Sequence, residues 1–219
     1  MCGRYAAFLP ADALAALFHL AGPLPNWAPT WNMAPTRSAP VVRIHPETRQ
    51  RQLDLLRWGL VPHWVKTLKE TRQPINARSE TLAVTPMFRD AFARRRCLVP
   101  ADAFYEWQVA DGVKHPWAIA RADGAPLVFA GLWEGWRAPD GGVIRSFTIV
   151  TTSACPTLRP LHERMPVVLE PEDWPLWLHE AEGDPARLLR PSAAAFRTWR
   201  ISTAVNNVRN DTPALLDPV

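Results

Sequence analysis

Short apolar runs separated by turn sequences fill the middle of the chain. Within several runs apolar and polar residues alternate, which is typical of strands with one buried face. Turns containing Asp-Gly at residues 111–112, 123–124 and 140–142 separate some of them, as β-hairpins require. The pattern predicts strands at residues 41–44, 52–58, 97–99, 104–109, 116–121, 127–133, 145–152 and 165–169, with a last strand near 198–202.

Helical spacing of apolar residues is rarer. Leu14, Leu17 and Phe18 lie on one face of a predicted helix over residues 11–21, and shorter helices are predicted at 85–95 and 171–179. Residues 23–40 and 61–75 are predicted as loops. Because helical crossovers between the strands are missing, a doubly wound parallel fold is disfavoured. We expect one α+β domain over residues 1–219, with a curved or barrel-like, mainly antiparallel β-sheet and flanking short helices.

Composition narrows the class of protein. The chain is 47% hydrophobic and 21% charged, which excludes wholesale disorder. No apolar run approaches the ~20 residues that span a bilayer, and the N-terminus lacks the layout of a secretory signal. We therefore expect a cytoplasmic protein without membrane contact. Only three of the 25 basic residues are lysines, and this excess of arginine, with 11 tryptophans, permits nucleic-acid binding without establishing it.

Three cysteines with no CxxC spacing argue against a disulfide framework or a zinc site, and we expect no metal and no cofactor. Cys97 and Cys155 lie in or beside apolar runs and are interpreted as small core residues. Cys2 differs because removal of Met1 would leave a thiol and an α-amine on adjacent carbons. Such an aminothiol condenses with an aldehyde to a Schiff base and then closes to a thiazolidine. The alternative is that Cys2 is merely a tolerated small residue.

Three further segments carry candidate chemistry. Asn76 and Arg78 combine an amide that can hold a carbonyl or hydroxyl with a guanidinium that can grip a phosphate, although an Asx turn explains them equally well. Strand alternation places Glu106 on the face of Phe104, where partial burial would raise its pKa; the alternative is an edge-strand glutamate in water. His162 is a candidate general acid or base. The other five histidines are interpreted as structural or solvated.

Seven short motifs follow one another from residue 1 to about residue 210. They are MCGRY (1–5), NMAPT (32–36), WGLVP (58–62), NARSE (76–80), FYEW (104–107), HERMP (162–166) and NVRN (207–210). In this order they resemble the SRAP family, the so-called SOS-response-associated peptidases. The resemblance covers essentially the whole chain.

The resemblance implies a sensor of abasic sites in single-stranded DNA. We expect the protein to be a monomer and to associate with the nucleoid when it is bound to damaged DNA. Cys2 would crosslink to the ring-opened aldehyde of the abasic sugar as a thiazolidine, shielding the lesion, and strand incision through the Schiff base is also implied. Glu106 would take the proton of the Cys2 amine and Asn76 would orient the amine or a sugar oxygen. His162 would protonate the ring oxygen as the sugar opens.

The same resemblance implies DNA contacts. Arg4, Arg78 and Arg164 are implied to clamp phosphates. Pro35, Trp64 and Met87 are implied to pack on bases or sugars. Thr151 is implied to lie near the DNA backbone.

Two other functions remain open from the sequence. A cysteine peptidase or self-processing amidohydrolase would use Cys2 with His162 and Asn76, since Cys–His–Asn arrangements activate thiols for acyl transfer. A non-covalent single-strand binder would bind intact and abasic strands alike and would leave no adduct.

Overall fold

The computed structural model describes residues 2–219 and contains twelve strands there. The strands are β1 (Tyr5–Ala7), β2 (Thr30–Met33), β3 (Ser38–Ile44), β4 (Arg51–Trp58), β5 (Asn76–Arg78), β6 (Arg96–Ala101), β7 (Ala103–Ala110), β8 (Val113–Arg121), β9 (Leu127–Arg137), β10 (Val143–Ser153), β11 (Arg164–Pro166) and β12 (Phe196–Arg200). The helices are α1 (Ala11–Phe18), α2 (Arg89–Arg94) and α3 (Trp174–Trp177). In the described part of the chain none of them is long and apolar enough to span a bilayer.

The strands form two sheets. One is antiparallel, with the order β12-β8-β7-β1-β2. In the other, β10, β4, β3, β6 and β9 close on themselves because β9 also pairs with β10, which makes a five-stranded barrel. Strand β10 additionally pairs with β5 and β11 and is parallel only to β4 and β5. The predicted α+β fold with a barrel-like, mainly antiparallel sheet is therefore confirmed.

Several predicted elements need correction. Residues 23–40 are not one loop, since β2 and the start of β3 lie within them, and the described strands β1 and β5 were not predicted. These strands have three or four residues, too few for an alternating pattern, and only pairing with neighbours defines them. The helix predicted over 85–95 is shorter, as α2, and the strand predicted over 165–169 ends at Pro166.

An aromatic core joins the two sheets. Tyr5 of β1 packs edge-on against Trp58 of β4, with ring centroids 5.0 Å apart, and Trp58 stacks on Phe147 of β10 at 6.3 Å. Phe104 of β7 meets Phe129 of β9 edge-on at 5.9 Å. Cys97 and Cys155 are buried in the same core, so their interpretation as core residues is confirmed. Because Cys2 belongs to this core as well, the cluster carries the packing directly to the N-terminal residues.

Candidate active site

Cys2 lies three residues before β1, and its side chain is fully buried. Its carbonyl oxygen accepts a 2.8 Å hydrogen bond from Nδ2 of Asn76, and its Sγ lies 3.9 Å from the carbonyl oxygen of Arg4. Burial, and secondarily the negative charge of Glu106, raise the pKa of the Cys2 thiol. The Cys2 side chain is therefore a neutral thiol, and the negative charge of Glu106 disfavours its ionisation.

Asn76 is placed by β5, which runs parallel to β10 with Asn76 opposite Ile149. Its Nδ2 donates a hydrogen bond to the Cys2 carbonyl oxygen. Its Oδ1 is buried and has no hydrogen-bond partner within residues 2–219. A buried carbonyl-type oxygen without a donor is costly, so this atom is an acceptor available to a ligand.

Glu106 lies on β7, which is paired on both sides, by β1 and by β8. Only 3% of the residue is exposed, so the alternative of an edge-strand glutamate in water is wrong. The predicted division of faces is confirmed: Phe104 joins the core that includes Cys2, whereas Tyr105 and Trp107 pack in a separate cluster on the other face. Burial raises the pKa of Glu106, and the charge of His162 acts against that rise.

His162 lies in the segment between β10 and β11 and is partly buried. Its Nδ1 lies 2.9 Å from the backbone nitrogen of Arg164 and accepts the N–H of that residue. The neutral imidazole therefore carries its proton on Nε2. Cys2, Asn76, Glu106 and His162 come from four separate segments, and each is linked to another of the four by a hydrogen bond or by the effect of its charge.

An open cleft of about 580 Å³ leads away from His162. Charged side chains dominate its lining: Arg78, Glu80, Thr81, His162, Glu163 and Arg164. Arg78 is exposed at the end of β5. The cleft is therefore polar, open to solvent and adjacent to the buried group around Cys2, an arrangement that suits a charged polymer with one reactive unit.

The family model for SOS response associated peptidase (SRAP) matches residues 1–208. The chain belongs to the SRAP family. Its curated relatives include the abasic site processing protein YoqW of Bacillus subtilis, 36% identical over 99% of both chains. Another is the abasic site processing protein HMCES of Pongo abelii, 31% identical over all of this chain and 76% of that protein.

Solved structures also share the fold seen here. A protein from Bacteroides thetaiotaomicron superposes with a TM-score of 0.88 over the full length of both chains at 20% identity, which bears on the fold alone. A protein from Bordetella bronchiseptica gives a TM-score of 0.78 at 30% identity, covering 92% of this chain and all of that one.

Two residues predicted to contact DNA, Arg4 and Thr151, are engaged in contacts within the protein in this SRAP chain. Nη1 of Arg4 donates to Oδ1 of Asn32 at 2.7 Å and to the carbonyl oxygen of Val205 at 2.9 Å, so its guanidinium is engaged inside the protein. Thr151 is fully buried, and its hydroxyl lies 3.4 Å from Nη2 of Arg164. In this structure both residues hold other parts of the protein in place, and their contact with DNA stays a prediction.

The residues predicted to pack on bases or sugars do not line the cleft among the described residues. Trp64 is 55% exposed and belongs to a loop held by a 2.7 Å hydrogen bond from Nε1 of Trp136 to the carbonyl oxygen of Val65. Met87 packs partly buried beside α2, and Pro35 lies in the turn that follows β2. Contact with DNA by these three residues would require a strand that extends beyond the cleft.

Two polar residues near this site were given no role from the sequence. Asn32 is fully buried and its Nδ2 donates to the carbonyl oxygens of residues 205, 207 and 210. Glu80 forms an ion pair with Arg164. Both lie inside motifs noted above, so their positions were visible, but their partners are distant in sequence. No cluster of three His, Cys, Asp or Glu side chains suited to a metal occurs in residues 2–219.

Proposed function

We propose that this SRAP protein recognises abasic sites in single-stranded DNA and captures them as a covalent thiazolidine through Cys2. The observation that carries the proposal is the buried link between Cys2 and Asn76, beside a glutamate whose charge acts on the thiol. The names of the relatives YoqW and HMCES, both abasic site processing proteins, supply the lesion class.

Capture begins at the amine of Cys2. Removal of Met1, which lies outside the described residues, makes Cys2 the first residue with an amine and a thiol on adjacent carbons. An α-amine with a pKa of about 7.8 is only about 15% neutral at pH 7, so a base must help. Glu106 supplies it, because burial raises the pKa of this carboxyl and makes its carboxylate a better proton acceptor than an exposed one.

The sugar opens and condenses in the following steps. His162 donates its Nε2 proton to the ring oxygen and recovers a proton from the C1′ hydroxyl through water, so the imidazole is neutral again and the aldehyde at C1′ is free. The Cys2 amine attacks C1′ and Glu106, having taken the amine proton, returns it to the departing hydroxyl, so that one water leaves and an imine forms. Sγ of Cys2 then adds to the imine carbon, the C=N electron pair returns to nitrogen, and the thiol proton moves onto that nitrogen. The product is a five-membered thiazolidine.

The state of the thiol favours this route over a peptidase. Cysteine peptidases attack as thiolates whose pKa is lowered by a neighbouring imidazolium. Burial and Glu106 instead raise the pKa of Cys2. A thiol held neutral is a poor first nucleophile. In the proposed route the amine makes the first attack, and the sulfur closes the ring afterwards on a carbon that the imine already holds next to it.

The deciding experiment incubates protein whose loss of Met1 is verified by mass with a single-stranded oligonucleotide carrying one abasic site. We expect a heat-stable adduct on a denaturing gel, with a mass one water below the sum of its parts, and none with the intact strand. The adduct disappears in Cys2→Ala and persists in the matched variant Cys155→Ala, which removes another buried thiol. Full-yield adduct from Cys2→Ala, or no adduct from the mature wild type, contradicts the proposal.

The order of bond formation has its own test. Cys2→Ala keeps the α-amine and loses only the sulfur, so it forms the imine but cannot close the ring. Borohydride added during incubation reduces an imine to a stable amine, and we expect this treatment to restore a crosslink in Cys2→Ala. A trapped imine also leads to strand incision, which we expect to increase in this variant. Failure of borohydride trapping would show that the amine does not attack first.

A further inference from the structure

The cleft beside His162 carries balanced charge although its proposed ligand is a polyanion. Arg78 and Arg164 contribute two positive charges, and Glu80 and Glu163 contribute two negative ones. A site selected for tight non-covalent binding of DNA would concentrate positive charge, because phosphate neutralisation supplies most of the non-specific affinity. The two carboxylates therefore call for an explanation.

Glu80 is the carboxylate whose partner is defined. Both terminal nitrogens of Arg164 donate to its two oxygens, with Nη2 to Oε2 at 3.0 Å and a shorter bond from Nη1 to Oε1. Nη2 also donates to the carbonyl oxygen of Thr151 at 2.7 Å. The fork of Arg164, which would grip a phosphate in two-pronged fashion, is thus already filled by a carboxylate of similar geometry.

We propose that Glu80 competes with the phosphates of the strand for Arg164 and so keeps the affinity of the cleft for intact single-stranded DNA low. This inference rests on the proposed function, because an abasic strand is retained by its covalent bond whereas an intact strand has only the non-covalent contacts. Weaker non-covalent binding lets the protein dissociate quickly from undamaged DNA without weakening covalent capture of the lesion. Glu80 would then be a specificity-determining residue.

Glu80 is ionised, and so able to compete with phosphate, throughout the ordinary pH range. The hydrogen bonds from Arg164 lower the pKa of Glu80 to about 2. Its side chain is 54% exposed and that of Arg164 18%, so a phosphate can approach the pair from the cleft. Because exposed pairs of this kind are weak, exchange of the carboxylate for a phosphate is not prohibitive.

The test measures non-covalent binding of a fluorescein-labelled intact single strand by anisotropy, with all variants in a Cys2→Ala background. Glu80→Gln keeps the shape of the side chain and removes its charge, and we expect about a two- to fivefold gain in affinity with a steeper salt dependence. Glu163→Gln is the matched control, since it removes the same charge from the same cleft without freeing Arg164. We expect it to give less than half of that gain.

A double-mutant cycle separates release of Arg164 from a general change of charge. In an Arg164→Gln background, Glu80→Gln should give no more gain than Glu163→Gln, and melting temperatures verify that each variant is folded. Equal gains from the two glutamates in the Arg164 protein, or weaker binding by Glu80→Gln, would overturn the inference. Adduct formation by the protein with Cys2 intact is scored separately, so failure of the crosslinking proposal is distinguishable from failure of this one.

Discussion

Glu106 has an environment that ties its protonation to both stability and reaction. The residue is 3% exposed on a strand paired on both sides, and burial raises its pKa. The same carboxylate acts on the thiol of Cys2. In the proposed function this carboxylate is the base for the Cys2 amine. It would gain basicity from the low polarity around it, at the expense of folding free energy when it is charged.

We expect the rate of crosslinking to rise with pH through the raised pKa of Glu106, because only the carboxylate accepts the amine proton. Glu106→Gln should lose about a hundredfold in rate and the low-pH limb of the profile. Initial rates of adduct formation between pH 4.5 and 8 measure both effects. Glu106→Asp, which retains a carboxylate one carbon shorter, should keep the limb with a smaller loss of rate. An unchanged profile in Glu106→Gln would remove Glu106 from the proton transfer.

The stability of the wild type should depend on pH in the opposite direction. A carboxyl whose pKa is higher in the folded than in the unfolded protein stabilises the fold below its unfolded value, and that contribution disappears as pH rises through the folded pKa. We therefore expect the melting temperature of the wild type to fall relative to Glu106→Gln between pH 4 and pH 7. A constant difference over that range would contradict the assigned direction of the pKa shift.

The strands β1 and β2 hold Cys2 in place through contacts with the end of the chain. Nδ2 of Asn32 on β2 donates to the carbonyl oxygens of residues 205, 207 and 210 at 3.3, 3.1 and 2.7 Å, and its Oδ1 accepts from Arg4. Asp211 accepts from the backbone nitrogen of Trp31 at 2.6 Å and from Oγ1 of Thr30. The NVRN motif is thus held in turns by side chains and backbone of β2.

Removing Asn32 should loosen this whole connection. Asn32→Ala removes the hydrogen bonds to the carbonyl oxygens of residues 205, 207 and 210 and the one from Arg4, so we expect a loss of about 3 kcal/mol in the free energy of unfolding. Asn206→Ala is the matched control: it removes one exposed acceptor for Nε1 of Trp107 and should lose about 1 kcal/mol or less. Urea denaturation measures both. A loss below about 1 kcal/mol in Asn32→Ala would show that water replaces these bonds readily.

The barrel assembles the site through β10. This strand pairs with β5, which supplies Asn76, and with β11, which follows His162. Glu106 comes from the other sheet, which meets the barrel across the core around Trp58 and Phe129. The arginines are not concentrated at this site. Many of them form ion pairs elsewhere in the molecule or at its cleft, namely Arg37, Arg43, Arg51, Arg95, Arg121 and Arg164.

This distribution predicts a shallow dependence of DNA binding on salt. The formal net charge is only +4, and the cleft itself is balanced. With about two to four phosphates contacted, the logarithm of the affinity of Cys2→Ala for a single strand should fall with a slope of about −1.5 to −3 against the logarithm of salt concentration. Anisotropy titrations at several salt concentrations measure it. A slope steeper than about −5 would indicate a long basic track rather than a local cleft.

Patterns in short stretches of the sequence predicted much of the fold and of the candidate site. Alternation along residues 104–107 placed Glu106 on the core face, and the spacing of turns indicated the hairpin-rich middle of the chain. The order of the motifs indicated the SRAP family and named Cys2, Asn76, Glu106 and His162 together. The first two inferences need only the residue types and the period of the backbone, which are properties of short segments. The family and its four site residues were instead implied by the resemblance that the motifs carry.

The partners of the polar side chains required the folded chain. Arg4 was expected at phosphate but binds Asn32 and the carbonyl of Val205, and Arg164 is held by Glu80, 84 residues away in sequence. The short strands β2 and β5 exist only through pairing, and the burial of the Cys2 thiol follows from the sheets that close around it. Local pattern sets the face on which a side chain lies, whereas its partner depends on which distant segments the sheet register brings together.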